Sequence, residues 1–315
     1  KLKVGIIGYG VGKHHADAYV KKNCDIKIFD KNKITQKKIL LDNFQLIKTE
    51  KEFFTNKFDI ISIASHDKYH FNHIIKSSKF THNIFCEKPI CNNFSQLKKI
   101  KKLVKKNKIN FQTNFVLRAV SLFEDIKKKI RTNYFGNIFF IEGSYLWSRI
   151  NKIDGWRSMD KDYSFIKGAS IHIIDLVCWL IEKKPTHVYA VGNNLGNKNK
   201  NNKDTMISII LEFDNKLYIQ INAFGPSIYP HYHELKVFGS NATSINQYGN
   251  NFFIRKKNNL KRIKNNTKYP DHRNKKKVII KFIENINKKK FLVNHDIFDS
   301  MCICFAAEKS IKQKK

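Results

Sequence analysis

The apolar run Leu2 to Ile7 passes into Gly8-Tyr9-Gly10-Val11-Gly12 and then into a helix-like stretch, so the chain opens as strand, glycine turn and helix. Glycines in such a turn let the backbone bend sharply and approach a pyrophosphate, whose charge is met by the exposed N–H groups and positive end of the following helix. The next apolar strand, Asp25 to Phe29, ends at Asp30. An acid about 20 residues past the turn has the spacing of a carboxylate that hydrogen-bonds a ribose 2′-hydroxyl. The third glycine comes one residue early, giving GxGxG in place of GxGxxG, so the turn alone also reads as a plain strand-to-helix connection. Strand context and Asp30 favour the dinucleotide reading.

Up to about residue 118, apolar strands alternate with helical patterns, which implies parallel pairing through crossover helices. The strand candidates are Leu2 to Ile7, Asp25 to Phe29, Asp59 to Ala64, Asn83 to Cys86 and Asn110 to Phe115. Between the last two, Ser95 is positioned to cap a helix whose apolar residues Leu97, Ile100, Leu103 and Val104 repeat at helical spacing. After residue 119 the pattern changes to two helices, about Leu122 to Arg131 and Gly168 to Ile181, and a succession of strands. The strands are Ile138 to Trp147, His187 to Gly192, Met206 to Phe213, Leu217 to Phe224, His233 to Phe238 and Asn251 to Arg255. Short turns such as Asp214-Asn215-Lys216 mark antiparallel hairpins, and helices near Val278 to Asn287 and Asp296 to Ser310 close the chain. The expected fold is a doubly wound parallel α/β sheet with one nucleotide-binding end up to about residue 118, then an α+β domain with antiparallel hairpins.

A net charge of +34 raises a nucleic-acid partner. Its distribution argues otherwise, because lysine is spread over every helix and accompanied by Asn, Ile and Phe, as drift towards AT-rich codons produces. A basic field that attracts an anionic substrate is the second reading and nucleic-acid binding the third. From Arg255 to Lys277 there are eleven Lys or Arg and one acid, Asp271, a run that reads as a solvated loop or hairpin. The longest apolar stretch, Ile171 to Ile181, carries His172 and Asp175 and is shorter than a membrane span of about 20 residues. Six scattered cysteines and no readable secretory signal, in a chain that begins without Met, point to reduced thiols in a cytoplasm and to no metal site.

Strand Asn83 to Cys86 runs directly into Glu87-Lys88-Pro89, which puts a lysine at the carboxyl end of a parallel strand, where open α/β sheets bind ligands. Gly8 to Gly12, Asp30, the strand end Ala64-Ser65 followed by His70, the Glu87-Lys88-Pro89 tripeptide and His172-Ile173-Ile174-Asp175 occur in that order. Together they resemble the Gfo/Idh/MocA family of nicotinamide-dependent dehydrogenases, over essentially the whole chain, including Trp156-Arg157 and the closing helix.

The resemblance implies an NAD(P)-binding Rossmann-type doubly wound α/β domain over residues 1–118 and a substrate-binding α+β domain over 119–315 with a large open, mostly antiparallel sheet, with NAD(P) and substrate meeting between them. It implies hydride transfer at a carbinol or carbonyl carbon of a sugar, cyclitol or sugar derivative, including activated or acidic ones. Lys88 matches the family lysine beside the nicotinamide and the substrate hydroxyl, and Pro89 the proline that commonly follows a cis peptide. The implied cofactor contacts are Gly8, Tyr9, Gly10, Val11, Gly12, Asp30, Ala64, Ser65, His70, Glu87 and Lys88. Asp30 disfavours a 2′-phosphate and so favours NAD, while Lys31 and Lys33 keep NADP open.

Removing hydride from a carbinol leaves an oxygen that must lose its proton, so a base near it and a cation facing it both lower the barrier. His172 is the candidate base and Lys88 the cation; a satisfied buried histidine and a surface lysine are the bland alternatives. Gly168 stands where the family often has an aspartate, four residues before His172, and Asp175 either orients the imidazole in its stead or merely packs. Arg118 and Arg157 are candidates to clamp an anionic group, Trp156 to stack on a sugar face, and His231 and His233 to line the substrate. His15, beside the glycine turn, serves either helix packing or cofactor contact. The alternative to an enzyme is a catalytically silent cofactor-binding sensor or scaffold, for which the missing acid at 168 speaks. A homo-oligomer, dimer or tetramer, through the open sheet face is a further implication of the family.

Overall fold

The computed structural model describes residues 1–153, 157, 160–196, 203–256, 260–264, 274–288 and 295–314. The chain divides into two compact units. The first takes residues 1–116 and the described part of 272–298. Six strands, β1 (Lys3–Ile7), β2 (Asp25–Phe29), β3 (Gln45–Ile47), β4 (Ile60–Ile63), β5 (Asn83–Cys86) and β6 (Asn110–Thr113), stand in the order β3-β2-β1-β4-β5-β6. All their pairings are parallel. The inner strands are apolar almost without interruption because crossover helices cover both faces; all four residues of β4 are buried. The helices are α1 (Gly12–Val20), α2 (Lys33–Leu41), the short α3 (Glu50–Phe53), α4 (Asp67–Ser77) and α5 (Phe94–Lys106). Strand order reverses between β1 and β4, which opens a crevice at their carboxyl ends.

Local chemistry sets the helix starts. Asn32 caps α2, its Oδ1 accepting from the N–H groups of Ile34 and Thr35. The cap of α5 is Asn93, not Ser95: Asn93 is extended and its Oδ1 accepts from Gln96 N at 3.0 Å, which leaves Ser95 inside the first turn. The predicted second domain also loses a helix to the first. Helix α8 (Asn274–Asn287) buries Val278, Ile279, Phe282 and Ile283, with Phe282 5.6 Å from the Phe85 ring. Ion pairs Lys276–Asp17 at 2.9 Å and Lys22–Glu284 at 2.7 Å join it to α1 and the turn after it.

The second unit, residues 117–271 and 299–315, carries eight strands. They are β7 (Ile138–Leu146), β8 (His187–Asn193), β9 (Met206–Glu212), β10 (Tyr218–Phe224), β11 (Tyr232–Gly239), β12 (Ala242–Gln247), β13 (Asn250–Lys256) and β14 (Leu260–Lys264). Their order is β14-β13-β12-β11-β7-β10-β9-β8, with β7 and β10 parallel and every other pair antiparallel. The pleat buries alternate residues of β9, β10 and β11. Helix α7 (Ile171–Ile181), entered through a wide π-type turn at Ile166–Ser170, packs on the buried face, where Ile173 lies against Gly143. Helix α6 (Ser121–Arg131) and the 299–313 stretch of α9 (His295–Gln313) complete the unit. On the opposite face Phe140, Ile210, Phe238 and Ile245 are half-buried, and Phe140 pairs with Phe238. Part of the basic run after Arg255 forms the β13–β14 hairpin, while 257–259 and 265–273 lie outside the described residues. Among the described residues no helix is long and apolar enough to cross a membrane.

Candidate functional site

In the first unit the glycine turn joins β1 to α1 at the strand-order reversal. Gly8 has φ +91°, and a Cβ there would stand 2.7 Å from the Ala64 carbonyl oxygen and Ser65 nitrogen, so only glycine passes against the end of β4. A Cβ at Gly10 would meet nothing within 4 Å. Val11 enters α1 without a side-chain cap, and no acid lies in the first turn. Lys13 N and His14 N of the first turn donate to the Tyr9 and Val11 carbonyls at 3.2 and 3.0 Å, and the positive end of α1 lies behind the open space at Gly10, as an anion requires. Asp30, just beyond β2, accepts from Tyr9 N at 2.9 Å and Asn32 N at 2.8 Å. A carboxylate has about four acceptor positions, so two remain for ribose hydroxyls. The turn, the open space and the acid fit a dinucleotide.

The Tyr9 phenol points into the unit and donates to Asp42 at 2.7 Å; burial first, and Asp42 with it, push its pKa up. Lys31 donates to the Tyr69 hydroxyl at 2.7 Å.

At the carboxyl ends of β4 to β6 the side chains form a closed network. His15 on α1 is fully buried, with Nδ1 2.8 Å from Ser62 Oγ and Nε2 2.9 Å from Glu87 Oε1. Asn114 donates to the same Glu87 oxygen at 2.7 Å. Burial alone pushes the Glu87 carboxyl up, but the hydrogen bond and charge of His15, the Asn114 amide and the charge of Lys88 outweigh it and hold the group down at about 2. His70 on α4, also buried, has Nδ1 2.6 Å from the Pro89 carbonyl and Nε2 2.8 Å from the Ser65 carbonyl. Lys88 itself is half-buried and precedes a cis bond to Pro89. Of the residues picked out by sequence, His15 and His70 thus hold the loop around Lys88. Ala64 is buried beneath the turn, and the Ser65 hydroxyl lies 2.9 Å from His73 Nδ1.

In the second unit His172, on the first turn of α7, joins an aromatic cluster. The Tyr145 ring of β7 lies 5.7 Å from His172, 5.3 Å from His231 and, stacked, 4.1 Å from His233. The His172 and His233 rings are 5.9 Å apart. His231 Nδ1 donates to the Trp147 carbonyl at 3.0 Å, which fixes its tautomer. Burial chiefly, and Tyr163 with it, push the Tyr145 phenol up, against the opposing charges of Arg149 and Arg157. Asp175 is fully buried, accepting from Arg118 Nε at 2.8 Å, Arg118 Nη2 at 2.6 Å and Ser300 Oγ at 3.1 Å. The structure thus joins two candidates, Arg118 and Asp175, as a buried ion pair.

Gly168 has no room for a side chain: a Cβ there would stand 2.4 Å from the Tyr163 hydroxyl oxygen. Tyr163 is buried, with Lys203 5.5 Å and Arg157 5.9 Å from its ring centre. Trp156 lies outside the described residues. Sequence reading missed Ser62, Asn114, Tyr145 and Tyr163. Each looks like ordinary strand or loop filling, and only pairings distant in the chain bring Ser62, Asn114 and Tyr145 to the candidate residues.

Comparison with known proteins follows the same division. Residues 2–115 match the model of an oxidoreductase family with an NAD-binding Rossmann fold, and 123–245 match the C-terminal domain model of that GFO/IDH/MocA family. An uncharacterized oxidoreductase of Streptococcus pneumoniae serotype 4 is 22% identical over 167 residues, 52% of this chain and 46% of that protein. The 2,7-anhydro-N-acetylneuraminate hydratase of Escherichia coli K12 is 24% identical over 158 residues, 49% of this chain and 42% of that protein. The match thus spans less than half the length of either relative. Levoglucosan dehydrogenase in complex with NADH and levoglucosan superposes with a TM-score of 0.87 at 17% identity, over 100% of this chain and 98% of that one. Myo-inositol 2-dehydrogenase from Lactobacillus plantarum gives 0.84 at 18%, with the same coverage. At such identities the likeness of structure establishes the fold. With family models matching both of its halves, this chain belongs to the Gfo/Idh/MocA family of oxidoreductases.

Proposed function

We propose that this protein is an NAD-dependent dehydrogenase acting on a CH–OH carbon of a sugar, cyclitol or acidic sugar derivative. The observation that carries the reading is the loop after β5, where Lys88 stands as a half-buried cation between two anchored residues at the carboxyl edge of a sheet fitted for a dinucleotide. Lys88 stabilises the oxygen as it loses its proton, and His172 takes that proton. Nicotinamide, when bound, supplies the hydride acceptor or donor. Gly8, Gly10, Gly12 and Asp30 hold the dinucleotide, and Asp30 disfavours a 2′-phosphate. The names of the neighbours, a levoglucosan dehydrogenase and a myo-inositol 2-dehydrogenase, support a sugar or cyclitol. The relative named for an anhydro-neuraminate, and the net charge of +34, support an acidic one.

The six cysteines are all free thiols, which supports a cytoplasmic place. The half-buried apolar residues on the outer sheet face, Phe140, Ile210, Phe238 and Ile245, support a homo-oligomer through that face. One observation favours a second reading, a silent cofactor-binding sensor: the space beside Gly168 is filled by Tyr163 and holds no acid.

The test is a fluorescence titration with NADH and NADPH, followed by an absorbance screen of sugars, cyclitols and sugar acids with whichever cofactor binds. The proposal expects NADH binding, turnover on a member of the panel, and a loss of at least ~100-fold in kcat in Lys88→Ala with NADH binding retained. Binding without turnover on any of them favours the sensor. Absence of binding overturns both.

A further inference from the structure

Two buried histidines hold the residues on either side of Lys88, one by a side-chain carboxylate and the other by a backbone carbonyl. Before it, the Glu87 carboxylate accepts from His15 and Asn114 at 2.9 and 2.7 Å, and His15 is itself held by Ser62 at 2.8 Å. After it, the His70 ring sits between two carbonyls, with Nδ1 2.6 Å from Pro89 O and Nε2 2.8 Å from Ser65 O. Lys88 thus stands between two anchored residues, and Glu87 is the anion next to it in the chain.

We propose that His15, with Asn114, is a positioning residue for Lys88: it fixes Glu87 as an oriented anion next in the chain, and that anion keeps the lysine charged and aimed. The inference rests on the reading of Lys88 as the cation of the reaction. The charged and titratable groups facing this loop are His15 from α1, with Tyr19 behind Ser62; His70 and Asp67 from α4; and Cys86, Cys91 and Lys88 itself. The charge of Lys88 is the last of the causes that hold Glu87 down, and coupling between two titrating groups is reciprocal, so Glu87 in turn favours the charged form of Lys88.

The experiment uses the full chain without substrate. Lys88 is half-buried, so a small reagent reaches it; competitive acetylation by acetic anhydride from pH 6 to 11, read by peptide mass spectrometry, gives the pH at which Lys88 loses its proton. Glu87→Gln keeps the shape and removes the charge, and is expected to lower that pH by about one unit. His15→Leu is expected to move it the same way, while His15→Gln, whose amide still donates to Glu87, stays near the wild type. A merely structural network would lower stability without moving the Lys88 titration. An unchanged titration in Glu87→Gln overturns the inference and leaves the reading of Lys88 intact. Full turnover in Lys88→Ala overturns that reading and leaves the coupling in place. Should His15→Leu fail to fold, Glu87→Gln and His15→Gln decide alone.

Discussion

Alanine at two glycines of one turn separates two roles. Gly8→Ala forces a left-handed backbone on alanine and drives its Cβ into the backbone of Ala64 and Ser65, so it is expected to cost about 2 kcal/mol or more of stability. Gly10→Ala meets no protein atom; the expected outcome is an unchanged melting temperature and NADH binding weakened at least ~10-fold, because a dinucleotide would need that space. Thermal unfolding beside NADH titration checks both, and an equal loss of stability in the two variants refutes the division. Gly168→Asp is expected to destabilise by ~1–3 kcal/mol against the Tyr163 hydroxyl, and to do so far less once Tyr163→Ala has cleared the space. Urea unfolding of the four proteins measures that coupling; strictly additive costs exclude the clash. The places of Glu87 and Lys88 just past β5 were legible in sequence because a tripeptide after a strand names its own position. Asp175 was not, since a carboxylate one turn from a histidine reads equally as its orienter, and its partner Arg118 is distant in the chain.

Helix α4 carries a pH dependence that follows from how it packs. Burial chiefly, reinforced by the nearby charge of His70 and opposed by Glu50, holds His73 down at about 4, against 6.5 for the free side chain. Below pH 6.5 the unfolded chain takes up a proton that the folded chain refuses until about pH 4. Stability is therefore present in full above 6.5 and falls as pH drops towards 4, by at most about 3 kcal/mol. Glu87 acts in the next window: its carboxyl is ionised in the fold down to about 2, so its contribution is present above 4.5 and fades as pH drops through 2. Urea unfolding between pH 7 and 4 should show the first loss, and His73→Gln should flatten it; an equally steep His73→Gln profile rules it out. Elements with strong patterns, such as β2 and β5, were readable to the residue. Three strands were not: β3 is only three residues long, β12 reads Ala-Thr-Ser-Ile-Asn-Gln, and β14 lies among the lysines of the basic run. In each, pairing with a neighbour supplies the stability that local propensity lacks.

Over the whole chain, sixty basic residues face twenty-six acids. Such an excess repels itself in the folded state more than in the expanded chain, so added salt, by shortening the screening length from about 10 Å at 0.1 M, is expected to raise the melting temperature. Scans from 50 to 500 mM sodium chloride test this, and a falling melting temperature would show that ion pairs outweigh the repulsion. The change from a parallel to a mostly antiparallel sheet was legible because the spacing of strands changes near residue 118. The return of α8 to the first unit was not, since an amphipathic helix records that it needs an apolar surface and not which one. The parallel pairing of β7 with β10 has a consequence for the newborn chain. Strand β7 leaves the ribosome first of its sheet, yet Phe140 waits for Tyr218 on one side and, later still, Phe238 on the other. At about 5–20 residues per second that leaves the central strand bare along both edges for several seconds, the interval in which a nascent polypeptide of this kind most needs a chaperone's cover.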